Sequence, residues 1–345
     1  MLRAIWVVSF LLFIVSAISV VVLLLLRSLR RKRERDEKAV NARLSKQIVV
    51  WLHEPDADIA QLREAASRTP RRAGELLTRA LELLQGEDQA RLVQLGRELG
   101  LETFMLRELT SGRPAERLEA AEKLAFFHTD DVADALSRAL DDPYPPLRLA
   151  AARSLAALGR NVPSLALRDP QWGDSALVDD LFEKLATRQS QDFIDLAGDT
   201  EVTSSRRVAA LRALAGTGDY ALLPVFSRLA EDSHPDLRVA AAAGLGRLGH
   251  PKAQSALARL FDDKEYLVRA AAVQAVGAIQ LGGLYQDMAR LLDDEEWWVR
   301  LATAEALAKG GEQGRRILRL AHDTGSADAR DMAAVALLEY GEKNG

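Results

Sequence analysis

The chain has 345 residues, enough for one to three domains with substantial hydrophobic cores. Hydrophobic residues make up 48% of it, charged residues 28% and aromatic residues only 6%, a mixture that favours helices over strands. There is no cysteine, which excludes disulfides, thiolate metal sites and cysteine nucleophiles.

The amino-terminal segment predicts a membrane anchor. Residues 1–3 form a short tail, and residues 4–26 carry no charge and would span about 34 Å as a helix, enough to cross a bilayer core. A cleaved signal peptide is the alternative, but its apolar region is typically about 7–15 residues long and ends at a small-residue cleavage site. Leucines here run directly into Arg27. We therefore expect a single transmembrane helix in contact with lipid.

Basic residues on one flank of this helix predict its orientation. Only Arg3 precedes the apolar segment, whereas residues 27–38 form a basic juxtamembrane segment. The positive-inside rule therefore places the amino terminus outside and the long carboxy-terminal part in the cytoplasm, as in a bacterial inner-membrane protein. The residues expected to set this topology are Arg27, Arg30, Arg31, Lys32, Arg33 and Arg35.

The rest of the chain is acidic. Residues 1–38 hold 8 of the 46 Lys and Arg and 3 of the 50 Asp and Glu, so the remainder has 38 basic and 47 acidic residues, a formal net charge of −9. Nucleic-acid binding depends strongly on positive charge. No nucleic-acid partner is expected.

A repeat dominates the carboxy-terminal two thirds of the sequence. Seven arginines each stand at the start of a similar alanine-rich stretch, and successive arginines are 31, 59, 31, 31, 31 and 30 residues apart. They are Arg117, Arg148, Arg207, Arg238, Arg269, Arg300 and Arg330. A fixed period in this range indicates stacked structural repeats. The long gap is close to two periods, which predicts a degenerate unit within residues 161–200 after an irregular insertion.

Each repeat reads as a helix, a glycine turn, a second helix and an acidic turn. Alanines follow the arginine, and an aliphatic residue seven positions on completes an apolar helical stripe: Leu155, Leu214, Leu245, Val276 and Leu307. Glycine stands eleven positions after the arginine in five copies, where a helix ends in the left-handed conformation: Gly159, Gly218, Gly249, Gly311 and Gly341. Neither helix can bury its stripe alone, so the units must stack.

Upstream of the repeats, residues 39–113 show helical spacing without the period. Divergent end units are expected because a stacked array must cap its first face, although a separate helical domain is the alternative. The predicted organisation is therefore this divergent part, then repeats over residues 114–341, then a tail at 342–345.

The motif Asp-x4-[VL]-R-x-A-A-x2-[AG]-[LV]-x2-[LI]-G, clearest at residues 142–159 and 232–249, resembles the short HEAT repeats of the type also found in phycobilin lyases. The resemblance covers residues 114–341 and implies an all-α solenoid of stacked helix pairs with a period of about 31 residues. It also implies that arginines and preceding acids form a structural ladder between units. The members would be Asp142, Arg148, Asp232, Arg238, Asp263, Arg269, Asp294 and Arg300.

Reactive chemistry is not indicated. His53-Glu54 is a single His-Glu step where a di-iron site of the HEAT-like type needs several, none of the five histidines falls in a His-x3-His arrangement, and no phosphate-binding loop motif is present. The paired acids recur at one repeat position, which favours helix capping over a metal site. No catalytic residue, metal or cofactor is expected.

An aromatic edge is the candidate binding surface. Positions two to four residues before the repeat arginines open the first helix of each unit, and they include Tyr144, Tyr266, Trp297 and Trp298. Aromatic residues ringed by acids are typical of protein-binding hot spots, whereas packing of an indole on a neighbouring turn is the structural alternative. We expect Trp298 to be the more packed of the two and Trp297 the more exposed.

These features together predict a membrane-anchored cytoplasmic scaffold or adaptor that is not an enzyme. Its partners would be other proteins, membrane-associated ones above all, and organisation of a membrane enzyme complex is a natural role. The alternative is an accessory enzyme of the HEAT-like lyase type.

Overall fold

The computed structural model describes residues 27, 42, 44–52 and 58–341. These residues are helical with turns between them, and no strand occurs among them. The predicted transmembrane segment, residues 4–26, lies outside the described residues, as does the tail at 342–345. Of the predicted topology residues only Arg27 is described, as an exposed helical residue. Among the helices that are described, none is both long enough and apolar enough to span a bilayer.

The chain divides into two compact units, Met1–Ala135 and Leu136–Gly345. In the first unit residues 44–52 are helical, and the helices that follow are α1 Ala60–Arg68, α2 Pro70–Leu83, α3 Glu87–Glu98, α4 Leu101–Ser111 and α5 Pro114–Leu124. Pro70 occupies the first turn of α2, where its missing amide costs nothing. Gly86 and Gly100 have positive φ and separate α2 from α3 and α3 from α4. Helix α6 Asp130–Ala139 contains the boundary between the units.

The second unit consists of stacked helix pairs. Its longer helices are α7 Pro145–Ala157, α9 Ala176–Ala186, α10 Ser190–Gly198, α11 Ser204–Gly216, α13 Pro235–Leu248, α15 Tyr266–Ile279, α17 Trp297–Lys309, α18 Gly311–Thr324 and α19 Ala327–Gly341. Shorter helices are α8 Ser164–Leu167, α12 Leu223–Leu229, α14 Gln254–Arg259 and α16 Tyr285–Met288. Short 3₁₀ turns open the second helix of three repeats: Tyr220–Leu222, Pro251–Ala253 and Gly282–Leu284.

The first helices of successive repeats form one layer, in which α11, α13, α15 and α17 each pack on the next. Alanine and glycine allow this close approach: a Cβ added at Gly277 would lie 2.7 Å from the Cβ of Ala306. The aliphatic residue at position seven of each repeat is buried, with Leu245 and Val276 both at 0% exposure. Burying such a side chain contributes about 1.5–3 kcal/mol, so the stripe is a main source of stability.

The predicted left-handed turn is present at four of the five glycines. Gly159, Gly218, Gly249 and Gly311 have φ between 67° and 73°. Gly341 does not, and it is the last residue of α19. In the repeat of α15, Gln280 stands eleven positions after Arg269 and takes the same left-handed conformation, with φ 59°.

The long gap between repeat arginines contains the predicted degenerate unit. Helix α9 packs between α7 and α11 in the first-helix layer, and α10 is its second helix. The insertion before it comprises α8 and a 3₁₀ turn, Pro170–Trp172, whose Trp172 is buried. Gln189, in the turn between α9 and α10, holds the start of this insertion: its buried Oε1 accepts from the Val162 amide (2.9 Å) and its Nε2 donates to the Val162 carbonyl (2.8 Å).

Candidate functional site

The repeat arginines and acids form a regular set of buried ion pairs between neighbouring repeats. Arg238 Nε lies 2.7 Å from Asp263 Oδ2, and Arg269 Nε lies 2.7 Å from Asp294 Oδ2, each across 25 residues. Arg207 reaches Asp232 at 2.6 Å across the same separation. Each of these arginines is at least nine-tenths buried. We call these three contacts the ladder pairs.

Hydrogen bonds to backbone groups surround each ladder pair; a ladder pair together with these bonds is called a rung, and so is the equivalent pair of Arg148 and Asp169. Arg238 also donates from Nη1 to the carbonyl of Asp232, the acid of its own repeat, at 3.0 Å. The carboxylates in turn accept the amide two residues on, as Asp263 does from Glu265 at 2.9 Å, which fixes the turn that leads into the helix. Burial opposes ionisation of Asp263, but its bonds to Arg238 and to the Glu265 amide hold its pKa below the ordinary value. The rung is therefore a charged, fully bonded connector.

The two ends of the predicted ladder differ from its middle. Arg148 bonds Asp169 of the insertion (2.6 Å), 21 residues on, and the carbonyl of Asp142 (2.8 Å). Arg300 donates to the carbonyl of Asp294 at 2.7 Å, and among the residues that the structure describes the one carboxylate within ion-pairing distance of it is Asp328, at 3.9 Å. Sequence reasoning missed Asp169, because the insertion shifts the acid off the repeat spacing.

The predicted aromatic residues separate into an exposed pair and two half-buried tyrosines. Trp298 is 60% exposed and Trp297 44%, and their ring centroids lie 4.7 Å apart in an edge-to-face arrangement. The expectation that Trp298 is the more packed is wrong, because its side chain is the more exposed of the two. Tyr144 and Tyr266 are half-buried.

A further apolar side chain adjoins the tryptophans. Leu267, at the repeat position of Trp298 but on the neighbouring helix α15, is 54% exposed. Because α15 and α17 pack side by side, we infer that Tyr266 and Leu267, at the start of one helix, lie on the same surface as Trp297 and Trp298, at the start of the other. We call these four residues the aromatic edge. The repeat spacing could have identified Leu267, which follows Tyr266 directly.

Carboxylates surround the aromatic edge. Glu295 and Glu296 immediately precede the tryptophans and are exposed, and Glu265 precedes Tyr266. Asp293 accepts a hydrogen bond from the Ser326 hydroxyl, which ties the turn before α17 to the start of α19. The edge therefore presents apolar rings within an acidic rim. Over the described ranges no group of three or more His, Asp or Glu side chains is arranged to hold a metal ion.

Comparison with known proteins supports the repeat interpretation. Residues 196–277 match the family model of HEAT repeats. None of the curated proteins matches the sequence. The fold is similar to that of the karyopherin Kap121p in its complex with the SUMO protease Ulp1p, with a TM-score of 0.51 at 15% identity, covering 88% of this chain and 41% of that one.

Kap121p bound to Pho4p gives a TM-score of 0.52 at 15% identity, covering 88% of this chain and 42% of that chain. This chain therefore matches about two fifths of the length of Kap121p, and at this identity the likeness concerns the fold alone. The described part of the chain is all-helical, its residues 196–277 match HEAT repeats, and its solenoid-like fold is compatible with a protein-binding scaffold.

Proposed function

We propose that this chain is a membrane-anchored cytoplasmic scaffold, without enzymatic activity, whose HEAT-type solenoid binds partner proteins through the aromatic edge. The observation that carries the proposal is the exposed pair Trp297 and Trp298, continued by Leu267 on the next helix. Large apolar side chains grouped on a surface mark interaction sites far more often than scattered ones. Tryptophan is also among the residues most enriched in binding hot spots.

The acidic rim defines the chemistry of the partner. Glu265, Glu295 and Glu296 bring negative charge to the edge of an apolar patch. A complementary surface has an apolar centre and Lys or Arg around it, because charge complementarity speeds association and excludes like-charged competitors. We therefore expect the partner to be a protein with a basic, apolar-centred docking segment, and its binding to weaken as salt rises.

The test is mild-detergent co-purification of the full chain and its Trp297→Ala/Trp298→Ala variant. Hot-spot tryptophans each cost about 2 kcal/mol or more when truncated, so the double variant should lose its specific partner, by at least about 30-fold in affinity. The matched control is Leu165→Ala/Tyr220→Ala, which removes two side chains that are 81% and 57% exposed elsewhere on the second unit.

The control makes the outcome decisive. A partner that the control variant retains and the tryptophan variant loses supports the aromatic edge. Equal recovery with both variants would place the binding surface elsewhere, and the absence of any specific protein with the unsubstituted chain would overturn the scaffold function itself.

The membrane anchor rests on the uncharged segment 4–26 and on the basic residues that follow it. Anchoring would raise the effective concentration of the solenoid for membrane-bound partners, such as an enzyme complex that it organises. The full chain should stay with the membrane fraction at high salt and alkaline pH, and a form lacking residues 1–27 should not. Release of the full chain by salt alone would contradict a spanning helix.

A further inference from the structure

A charged side chain occupies a core position of one repeat. The residue before the repeat arginine is aliphatic and 0% exposed in four repeats: Leu147, Leu237, Val268 and Val299. In the repeat of α11 this residue is Arg206, which is 4% exposed. Burying a guanidinium where an aliphatic side chain suffices costs stability unless the charge is matched. The position therefore calls for an explanation beyond packing.

The hydrogen bonds of Arg206 leave part of its guanidinium unmatched. Nη2 donates to the carbonyls of Asp169 (3.3 Å) and Gly173 (3.0 Å), which holds the insertion in place, and the Cζ atom lies 5.6 Å from the centre of the Phe182 ring. Nη1 is buried with no hydrogen-bond partner, and no described carboxylate lies within ion-pairing distance of this side chain. The adjacent Arg207, by contrast, has its carboxylate in Asp232.

The electrostatic surroundings of Arg206 also show that its charge is incompletely compensated. Desolvation lowers the pKa of Arg206, and the carboxylates of Asp174, Asp169 and Asp179 oppose that effect from a distance, without a hydrogen bond to the guanidinium. A carboxylate that accepts a hydrogen bond from Nη1 would stabilise this buried guanidinium, because charge-assisted hydrogen bonds are about twice as strong as neutral ones.

Arg206 lines a groove of about 520 Å³ that crosses the first helices α9, α11 and α13. Ser175, which precedes α9, has a buried hydroxyl that also lacks a partner. Because Ser175 stands at the amino terminus of α9, the first free amides of that helix lie beside it and favour negative charge. The Arg206 guanidinium, the Ser175 hydroxyl and the first amides of α9 are thus three kinds of hydrogen-bond donor in one part of the groove.

Two further arginines line the groove. Arg212 and Arg247 are exposed, and neither forms an ion pair with any residue that the structure describes. Between them the surface is small and apolar, formed by Ala209, Ala240, Ala243 and Gly244. An extended polypeptide can approach such a surface closely, since no side chain projects from it.

We propose that this groove binds an acidic segment of a partner protein, with one carboxylate directed at Arg206 and Ser175 and others paired with Arg212 and Arg247. The inference deepens the proposed scaffold function and rests on it. Asp174, Asp179 and Asp236 also line the groove, so a nucleic acid or another dense polyanion is disfavoured relative to a peptide with separated charges. The unmatched atoms are covered in this structure, so binding requires neighbouring side chains to move.

The experiment is a selection of random dodecapeptides displayed on phage against the full chain in mild detergent. Peptides rich in Asp and Glu should be enriched, and their synthetic forms should bind more weakly when each Asp and Glu is replaced by its amide. Free glutamate is the second arm, because it offers the same carboxylate without a polypeptide, and it should compete only at far higher concentration.

Two variants assign the site. Arg206→Leu restores the aliphatic residue of the other repeats, so this variant should fold. Its affinity for the acidic peptides should be lower by about tenfold or more. Arg212→Glu/Arg247→Glu changes only exposed residues and should have a similar effect. The control Arg228→Glu/Arg316→Glu makes the same change of net charge outside the groove and should bind normally.

Failure of the inference can be distinguished from failure of the scaffold function. If acidic peptides bind all variants equally, or only basic and aromatic peptides are enriched, the groove is not the site while the aromatic edge still stands. If free glutamate binds as well as the peptides do, the occupant is a small carboxylate and the partner segment is overturned. If no peptide is enriched and Trp297→Ala/Trp298→Ala loses no partner, both proposals fall.

Discussion

At the scale of single residues, a buried ladder pair can be compared with an exposed ion pair beside it. Arg238 and Asp263 have side chains only 8% and 10% exposed and bond through both carboxylate oxygens. Next to this pair, Asp262 bonds Arg290 at 2.6 Å with side chains 69% and 51% exposed. The two neighbouring aspartates therefore make ion pairs of similar length in opposite environments.

We predict that Asp263→Asn destabilises the chain by about 3–5 kcal/mol, because it leaves a buried guanidinium without its counter-charge. Asp262→Asn should cost less than about 1 kcal/mol, because water already screens that pair. Urea denaturation followed by circular dichroism at neutral pH measures both. Equal losses from the two substitutions would contradict the burial argument.

At the scale of the helix, the repeat pattern predicts most of the fold. The period places the first helices α7, α11, α13, α15 and α17 and the glycine turns that follow them, because each depends on local spacing. The insertion was predictable only as an irregularity. Its contacts, Arg148 with Asp169 and Gln189 with Val162, join residues 21 and 27 positions apart and follow no period.

The exposure of the candidate site was also beyond sequence reasoning. Trp297 and Trp298 are adjacent at one helix start, and nothing in their own segment predicts that the second ring is the more exposed of the two. Arg206 was visible as an arginine in a column of aliphatic residues. Its missing counter-charge became apparent only once the positions of Asp169, Asp174 and Asp179 were known.

The crossing of neighbouring first helices depends on small side chains. We predict that Gly277→Leu destabilises the chain by about 1–3 kcal/mol or more, because a Cβ there already meets the backbone of Ala306 at 3.1 Å and the helices must separate. Gln274→Leu places the same side chain on the exposed face of the same helix and should change stability by less than about 0.5 kcal/mol. Thermal or urea unfolding of the two variants checks this, and a stable Gly277→Leu would refute close packing.

Across the second unit, the rungs make stability depend on pH in one direction. Burial opposes ionisation of Asp169, Asp232, Asp263 and Asp294, yet their arginine partners and amide bonds hold all four pKa values below the ordinary 3.8. A lowered folded-state pKa means that the unfolded chain binds more protons in acid. The contribution is therefore complete above the unfolded-state pKa and is lost as the pH falls through the folded-state values.

We accordingly predict that the free energy of unfolding is nearly constant from about pH 7 to pH 5 and declines below that, in urea titrations at constant ionic strength. Exposed carboxylates titrate in the same range, so the rung contribution is isolated by comparing two variants that each lack one carboxylate. Asp263→Asn should be less stable than Asp262→Asn at pH 6, and its stability should fall less steeply between pH 5 and pH 3. Because each repeat contacts only its neighbours, the loss of one arginine–aspartate pair should weaken the array locally. Parallel pH profiles for the two variants would mean that these pairs do not control the stability of the chain in acid.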